Sequence, residues 1–212
     1  MSEIEIGRLL RSGTTGFVVG CKVNQLNAPS FGAMVRVPLE QNYEVYGLIY
    51  DIHIEDDGLV RQLITAEDVP EEVLRDNREN RNVPVEIGVL ALGYTHGEGV
   101  FHLLPPRPPL SLDAIYLCSP GEVANFTGKG FGYFRQILRD RDKPIEELLA
   151  AHLRQARGAQ VDVGNEGWFE DAVKELITLM RDDYQALINI LSAVSELSDV
   201  PFRRRNERGS NE

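Results

Sequence analysis

The sequence predicts an α+β protein, with a small closed β-barrel at the N-terminus followed by a helical region containing one long helix. Three observations carry this. Up to about residue 118 the chain is a series of short β-branched or apolar runs punctuated by Gly, Asn, Asp and Pro. From residue 120 onward the apolar period is that of helices. No strand–helix–strand alternation is present, and many short strands at this spacing suggest a small barrel or a sandwich. The expected organisation is a barrel over 1–120, a helical region over 121–200 and a polar, Arg-rich tail over 201–212.

The expected strands are residues 6–10, 16–21, 33–37, 45–54, 59–63, 85–92 and 113–117. The fourth shows its period openly: Tyr50, Ile52 and Ile54 alternate with Asp51, His53 and Glu55. Asp57-Gly58 follows as a two-residue hairpin signal leading into 59–63. Residues 65–84 are acidic, with few apolar positions, and read as a solvated excursion with room for a short helix. The run Pro105-Pro106-Arg107-Pro108-Pro109 must be extended, because proline fixes φ and removes backbone donors. It reads as a rigid connector into the last barrel strand, or as a polyproline ligand for an aromatic groove.

In the helical region, Pro144 opens a segment over 145–157 with Leu148, Leu149 and Leu153 on one face, and Gly158 is placed to stop it. A longer segment, 165–197, carries Val173, Ile177, Met180, Tyr184, Leu187, Leu191 and Val194 at alternating spacings of three and four. That spacing predicts one helix capped by Asn165, its seam packed within the chain or pairing two copies as a homo-oligomer.

The 212 residues are 42% hydrophobic and 26% charged, a globular composition rather than a disordered one. The net charge of −11 disfavours non-specific wrapping by nucleic acid and attraction to an anionic membrane surface. No apolar run reaches the roughly 18 residues of a spanning helix. The acidic start, Met1-Ser2-Glu3-Ile4-Glu5, lacks the basic and apolar regions of a signal peptide. Cys21 and Cys118, far apart in sequence, make no disulfide framework. The expectation is a cytoplasmic protein with reduced thiols and no cofactor.

Ile6-Gly7-Arg8-Leu9-Leu10 opens the barrel half, followed by Thr15-Gly16-Phe17-Val18-Val19. Gly32-Ala33-Met34-Val35-Arg36-Val37 and Tyr46-Gly47-Leu48-Ile49-Tyr50-Asp51-Ile52 come next. Val89-Leu90-Ala91-Leu92-Gly93-Tyr94, the proline run and Ile115-Tyr116-Leu117 complete the order. Over roughly residues 4–120 this resembles the HAS-barrel, the small β-barrel at the N-terminus of HerA-type DNA translocases and of rotary ATP synthase catalytic subunits. The likeness extends through residues 130–138, Arg141-Asp142-Lys143-Pro144-Ile145 and His152, similar to the stretch before the translocase phosphate loop. There it stops. A phosphate loop needs Gly-x-x-x-x-Gly-Lys followed by Ser or Thr, and Gly128-Lys129-Gly130 is neither preceded nor followed by the required residues. The resemblance implies the entry module of a motor with the motor removed.

The sequence also holds candidate catalytic constellations. Asp51, His53, Glu55, Asp56 and Asp57 are the densest set of potential metal ligands, but an exposed strand ending in an Asp-Gly turn yields the same residues for solubility. His96 and His102 lack a third zinc ligand nearby in sequence, and Cys118 has no nearby His to activate it. No catalytic, cofactor or metal residue is therefore assigned, and the chain is expected not to be an enzyme.

What the resemblance implies is a non-catalytic barrel module that docks on a HerA-type hexameric ATPase or a NurA-type nuclease. There it would assemble or regulate a DNA-processing complex, touching DNA only indirectly. The candidate partner surface is acidic: Asp51, Glu55, Asp56, Asp57, Glu67, Asp68, Glu71 and Glu72. The alternative is a stand-alone nucleic-acid-binding barrel using Arg203, Arg204, Arg205 and Arg208 of the tail on phosphates.

Overall fold

In the computed structural model, the described residues are 3–21, 29–40, 42–54, 58–66, 68–79, 85–140 and 142–198. Among them are seven strands: β1 Ile4–Ser12, β2 Gly16–Cys21, β3 Met34–Glu40, β4 Tyr43–Ile54, β5 Val85–His96, β6 Gly99–Phe101 and β7 Ala114–Leu117. Six of them close a barrel in the order β1-β2-β5-β4-β3-β7 and back to β1, every pairing antiparallel. The short β6 folds back onto β5 as a hairpin. The fold is thus α+β, a closed barrel followed by helices.

The barrel interior is filled by Ile6, Leu9, Val19, Val35, Ile87 and Ile115, all fully buried, with further apolar side chains around them. A six-stranded barrel leaves room for side chains and nothing else. Two glycines of the sequence motifs have a geometric reason. A Cβ on Gly7 would lie 2.3 Å from the Gly20 carbonyl oxygen, and one on Gly47 would lie 2.4 Å from the Val89 side chain. Each sits beside a register shift, Glu5/Gly7 in the β1–β7 ladder and Tyr46/Gly47 in the β4–β5 ladder. Such irregularities bend strands strongly enough to close a small barrel.

Among the described residues seven helices follow or interrupt the strands: α1 Leu59–Thr65, α2 Glu71–Glu79, α3 Pro120–Thr127, α4 Phe134–Arg139, α5 Ile145–Asp162, α6 Trp168–Leu179 and α7 Tyr184–Ser198. The outer wall of β3, β4 and β5 contributes Met34, Tyr46, Leu48, Leu90 and Leu92 to a second core shared with α3 to α7. This wall is buried on both faces, so its strands read as continuous apolar runs (Val89-Leu90-Ala91-Leu92) rather than alternating ones. Ser119 caps α3: its side chain and the Glu122 carboxylate satisfy each other's backbone N–H, and Pro120 takes the first helical position.

Three sequence expectations are corrected. Residues 59–63 are not a hairpin strand but lie in α1, because β4 spends its terminal ladder, Ile49 to Ile54, on β5 rather than on a following strand. Gly58, at φ 76°, takes the left-handed conformation at the start of α1.

Gly158 does not stop α5, which continues to Asp162 because Ala159 and Gln160 are still buried, Gln160 against α3. The Gln160 amide donates to the Ala124 carbonyl and to Thr127 Oγ1, both at 2.8 Å. Gly164, at φ 82°, provides the exit.

The single helix over 165–197 is two helices broken at Met180–Asp183. Asp183 opens the second: its carboxylate accepts from Ala186 N–H at 3.3 Å and its carbonyl from Leu187 N–H at 3.0 Å. The seam therefore does not run through. Met180, Leu187 and Val194 are buried with Ile190, whereas Ile177 and Tyr184 are exposed. Asn165 lies outside α6 and donates its amide to Gln160 Oε1 at 3.0 Å.

Candidate interaction site

The excursion between β4 and β5 leaves and re-enters the barrel at one point, because Ile54 pairs with Val85. It carries α1 and α2 as an arm. Asp51 is exposed near the end of β4. Asp68 is exposed in the connection between the helices, and Glu71 and Glu72 occupy the first turn of α2, where carboxylates complement the helix dipole. The carbonyl of Pro70 accepts from Val73 and Leu74 N–H and so starts that helix. Glu55, Asp56, Asp57 and Glu67 lie outside the described residues.

The arm is not only acidic. Ile64 is 77% exposed, and Val73 and Leu74 also present much of their side chains to solvent. Along this excursion exposed carboxylates and exposed large apolar side chains therefore occur together in sequence.

The other residues singled out in the sequence are scattered. Asp51 and His53 are exposed on β4, with His53 across from Glu86, whose carboxylate accepts from Arg11 at 2.9 Å. His96 is exposed at the β5–β6 turn, 6.0 Å ring to ring from Tyr43. His102 packs between Phe126 and Tyr133, its Nε2 3.1 Å from the Phe126 carbonyl, and burial lowers its pKa. Among the described residues no three His, Cys, Asp or Glu side chains are grouped as a metal site. Burial pushes the thiols of Cys21 and Cys118 up, away from the reactive thiolate. Lys129 lies in the exposed turn after α3, where Gly128 N–H bonds the Ala124 carbonyl. The tail arginines 203, 204, 205 and 208 lie outside the described residues.

Around Arg107 the proline run forms a strap rather than a free peptide. Arg107 reaches Glu40 at 2.6 Å, Ser12 donates to the Pro109 carbonyl, and Leu110 N–H bonds the Asp113 carboxylate at 2.7 Å. A cleft of about 310 Å³, lined by Arg11, Thr15, Phe17, Tyr50, Asp140 and Lys143, opens beside the β1–β2 turn. Its cations are already matched, Arg11 by Glu86 and Lys143 by Asp140.

One charged centre lies outside the site residues that the sequence predicts. Arg36, in the middle of β3, is buried and faces three carboxylates: Glu3, Glu44 at 3.0 Å and Glu122. Its guanidinium lies 5.3 Å from the Tyr116 ring centroid. Tyr46 donates to Glu44 at 2.8 Å, and Ser119 donates to Glu122 from both its hydroxyl and its backbone. Burial alone would lower the Arg36 pKa, but the hydrogen bond to Glu3 and the charges of Glu122, Glu44 and Glu3 outweigh it and raise it. Every charge here is engaged, so the centre acts as a tie between the start of β1, the β3–β4 wall and α3. The signal was present: an arginine flanked by Val35 and Val37 in an otherwise apolar strand must find anions.

No protein-family model matches the chain, and no curated protein matches it. No helix among the described residues is long and apolar enough to cross a membrane.

Proposed function

We propose that this chain is a cytoplasmic, non-catalytic barrel module that docks through its acidic arm onto a HerA-type hexameric ATPase or a NurA-type nuclease. In that role it assembles or regulates a DNA-processing complex. The observation that carries the reading is the arm itself, where Asp68, Glu71 and Glu72 accompany the exposed Ile64, with Asp51 exposed near the end of the strand that leads into it. Proteins that handle DNA present basic surfaces, and an acidic module would be steered to them and would compete there with the duplex. A short amphipathic helix such as α2 suits docking in a groove. The order of barrel motifs, with Gly7 and Gly47 at sites where no side chain fits, supports the HAS-barrel likeness from which the partner is taken.

The test is a pull-down from host lysate with wild type and with Asp51, Glu71 and Glu72 all changed to Ser. Recovery of an ATPase or nuclease by the wild type alone is the expected outcome. Recovery of neither class by the wild type removes the proposal.

A further inference from the structure

We infer that the outward face of α7 is a self-association surface, occupied by the same face of a second copy of this chain. The helix has two sides. Leu187, Ile190 and Val194 are buried in the core that α7 shares with α5. On the opposite side Tyr184 is 72% and Ile188 38% exposed, with Gln185, Asn189, Ser192 and Ser195 exposed beside them. Gln185 donates to Asn189 at 3.1 Å along this side.

No Asp, Glu, Lys or Arg occurs from position 184 to 195, in a chain that is 26% charged. Exposed helix faces ordinarily carry charge, and α6 does so with Glu170, Asp171, Lys174 and Glu175. An exposed face with an aromatic, an isoleucine and only neutral polar groups has the composition of an interface core, from which charge is depleted.

The charge balance selects the occupant. Two copies at −11 each repel one another over most of their surface, and the penalty is least where the surface is neutral. A basic partner would gain nothing from this face that the acidic arm does not offer better. Amides and hydroxyls both donate and accept, so the face is self-complementary, as a two-fold contact requires. A helix of 15 residues is about 22 Å long, and one such face covers less than the ~800 Å² per partner of stable complexes. The dimer is accordingly weak, with a dissociation constant on the order of micromolar.

Sedimentation equilibrium on the full chain tests this, over about 1 to about 300 µM protein and at about 50 and about 500 mM salt. Wild type, Ile188→Glu and Asn189→Arg are compared. The wild type should move from 23.8 kDa toward twice that mass with concentration. The association should tighten at high salt, because screening removes repulsion while apolar contact persists. Each variant should weaken it by about tenfold or more, with unchanged circular dichroism. Should Ile188→Glu lose helix signal, Asn189→Arg decides, since it alters an exposed polar position. A wild type that stays monomeric, variants that associate like the wild type, or an association that weakens with salt would each overturn the inference.

Discussion

His152 shows how one buried side chain makes the fold sensitive to acid. It is fully buried on α5, its Nε2 3.1 Å from the Tyr133 hydroxyl and its ring edge-on to that tyrosine. Burial lowers its pKa from 6.5 to about 4. The folded state therefore resists protonation while the unfolded chain accepts a proton from pH 6.5 downward. The stability is whole above about pH 6.5, falls as the pH drops toward about 4, and changes no further below that on account of this group. The full loss is on the order of 3 kcal/mol. Urea midpoints of wild type and His152→Phe between pH 7 and pH 4 should diverge in slope, the variant being flatter; parallel curves would mean that His152 does not titrate as described. Arg36 is the second residue with a large expected effect. Arg36→Met leaves Glu44 and Glu122, both partly buried, without their cation, and should cost about 3 kcal/mol, near the low end for a broken buried pair because water still reaches the carboxylates. Thermal unfolding reads this directly, and a loss below about 1 kcal/mol would make the centre an ordinary surface pair.

Among the elements, α5 offers the cleanest test. Gly158 lies inside the helix, and a Cβ built there meets nothing within 4 Å. Gly158→Ala should therefore stabilise the protein by about 0.5–1 kcal/mol, through helix propensity and a less flexible unfolded chain. A lowered melting temperature would show that the helix is not continuous through 158. The same glycine marks where sequence reading reached its limit. The strands of the barrel were legible because short β-branched runs with turn residues between them have few alternative structures. The positions of β1, β2, β4 and β5 follow those runs to within a few residues. The helix ends were less legible, since Gly158 is tolerated wherever flanking residues such as Ala159 and Gln160 gain enough from packing. Asp183 shows the reverse. A regular apolar spacing over 173–194 suggested one helix, yet a carboxylate able to cap α7 interrupts it. Likewise 59–63 alternates too little to fix its state, and the outcome was decided by β5, which already pairs with β2 and β4. Of the candidate site, the acidity of the arm was visible in the sequence. The exposure of Ile64 was not, because exposure belongs to the tertiary structure.

At the scale of the whole molecule, two features divide the work. Each of the six barrel strands pairs with a neighbour on both sides, which leaves little room for a partner to add a strand to them. In the proposed docking, contact comes from what lies outside the barrel: the arm at one end of β4 and the helical layer on the outer wall of β3 to β5. The arm is charged and the outer face of α7 is neutral, so salt should act on them in opposite directions. That contrast lets one quantity report on the central claim, namely docking through the arm. The measurement is a titration of purified HerA-type ATPase with this chain at about 50 and about 300 mM salt, read by calorimetry. Saturable binding is expected, weakening at least about tenfold at the higher salt and by a similar factor when Asp51, Glu71 and Glu72 are changed to Ser. Absence of saturable binding to the ATPase and equally to a NurA-type nuclease, or binding indifferent to both salt and those three carboxylates, would contradict the account.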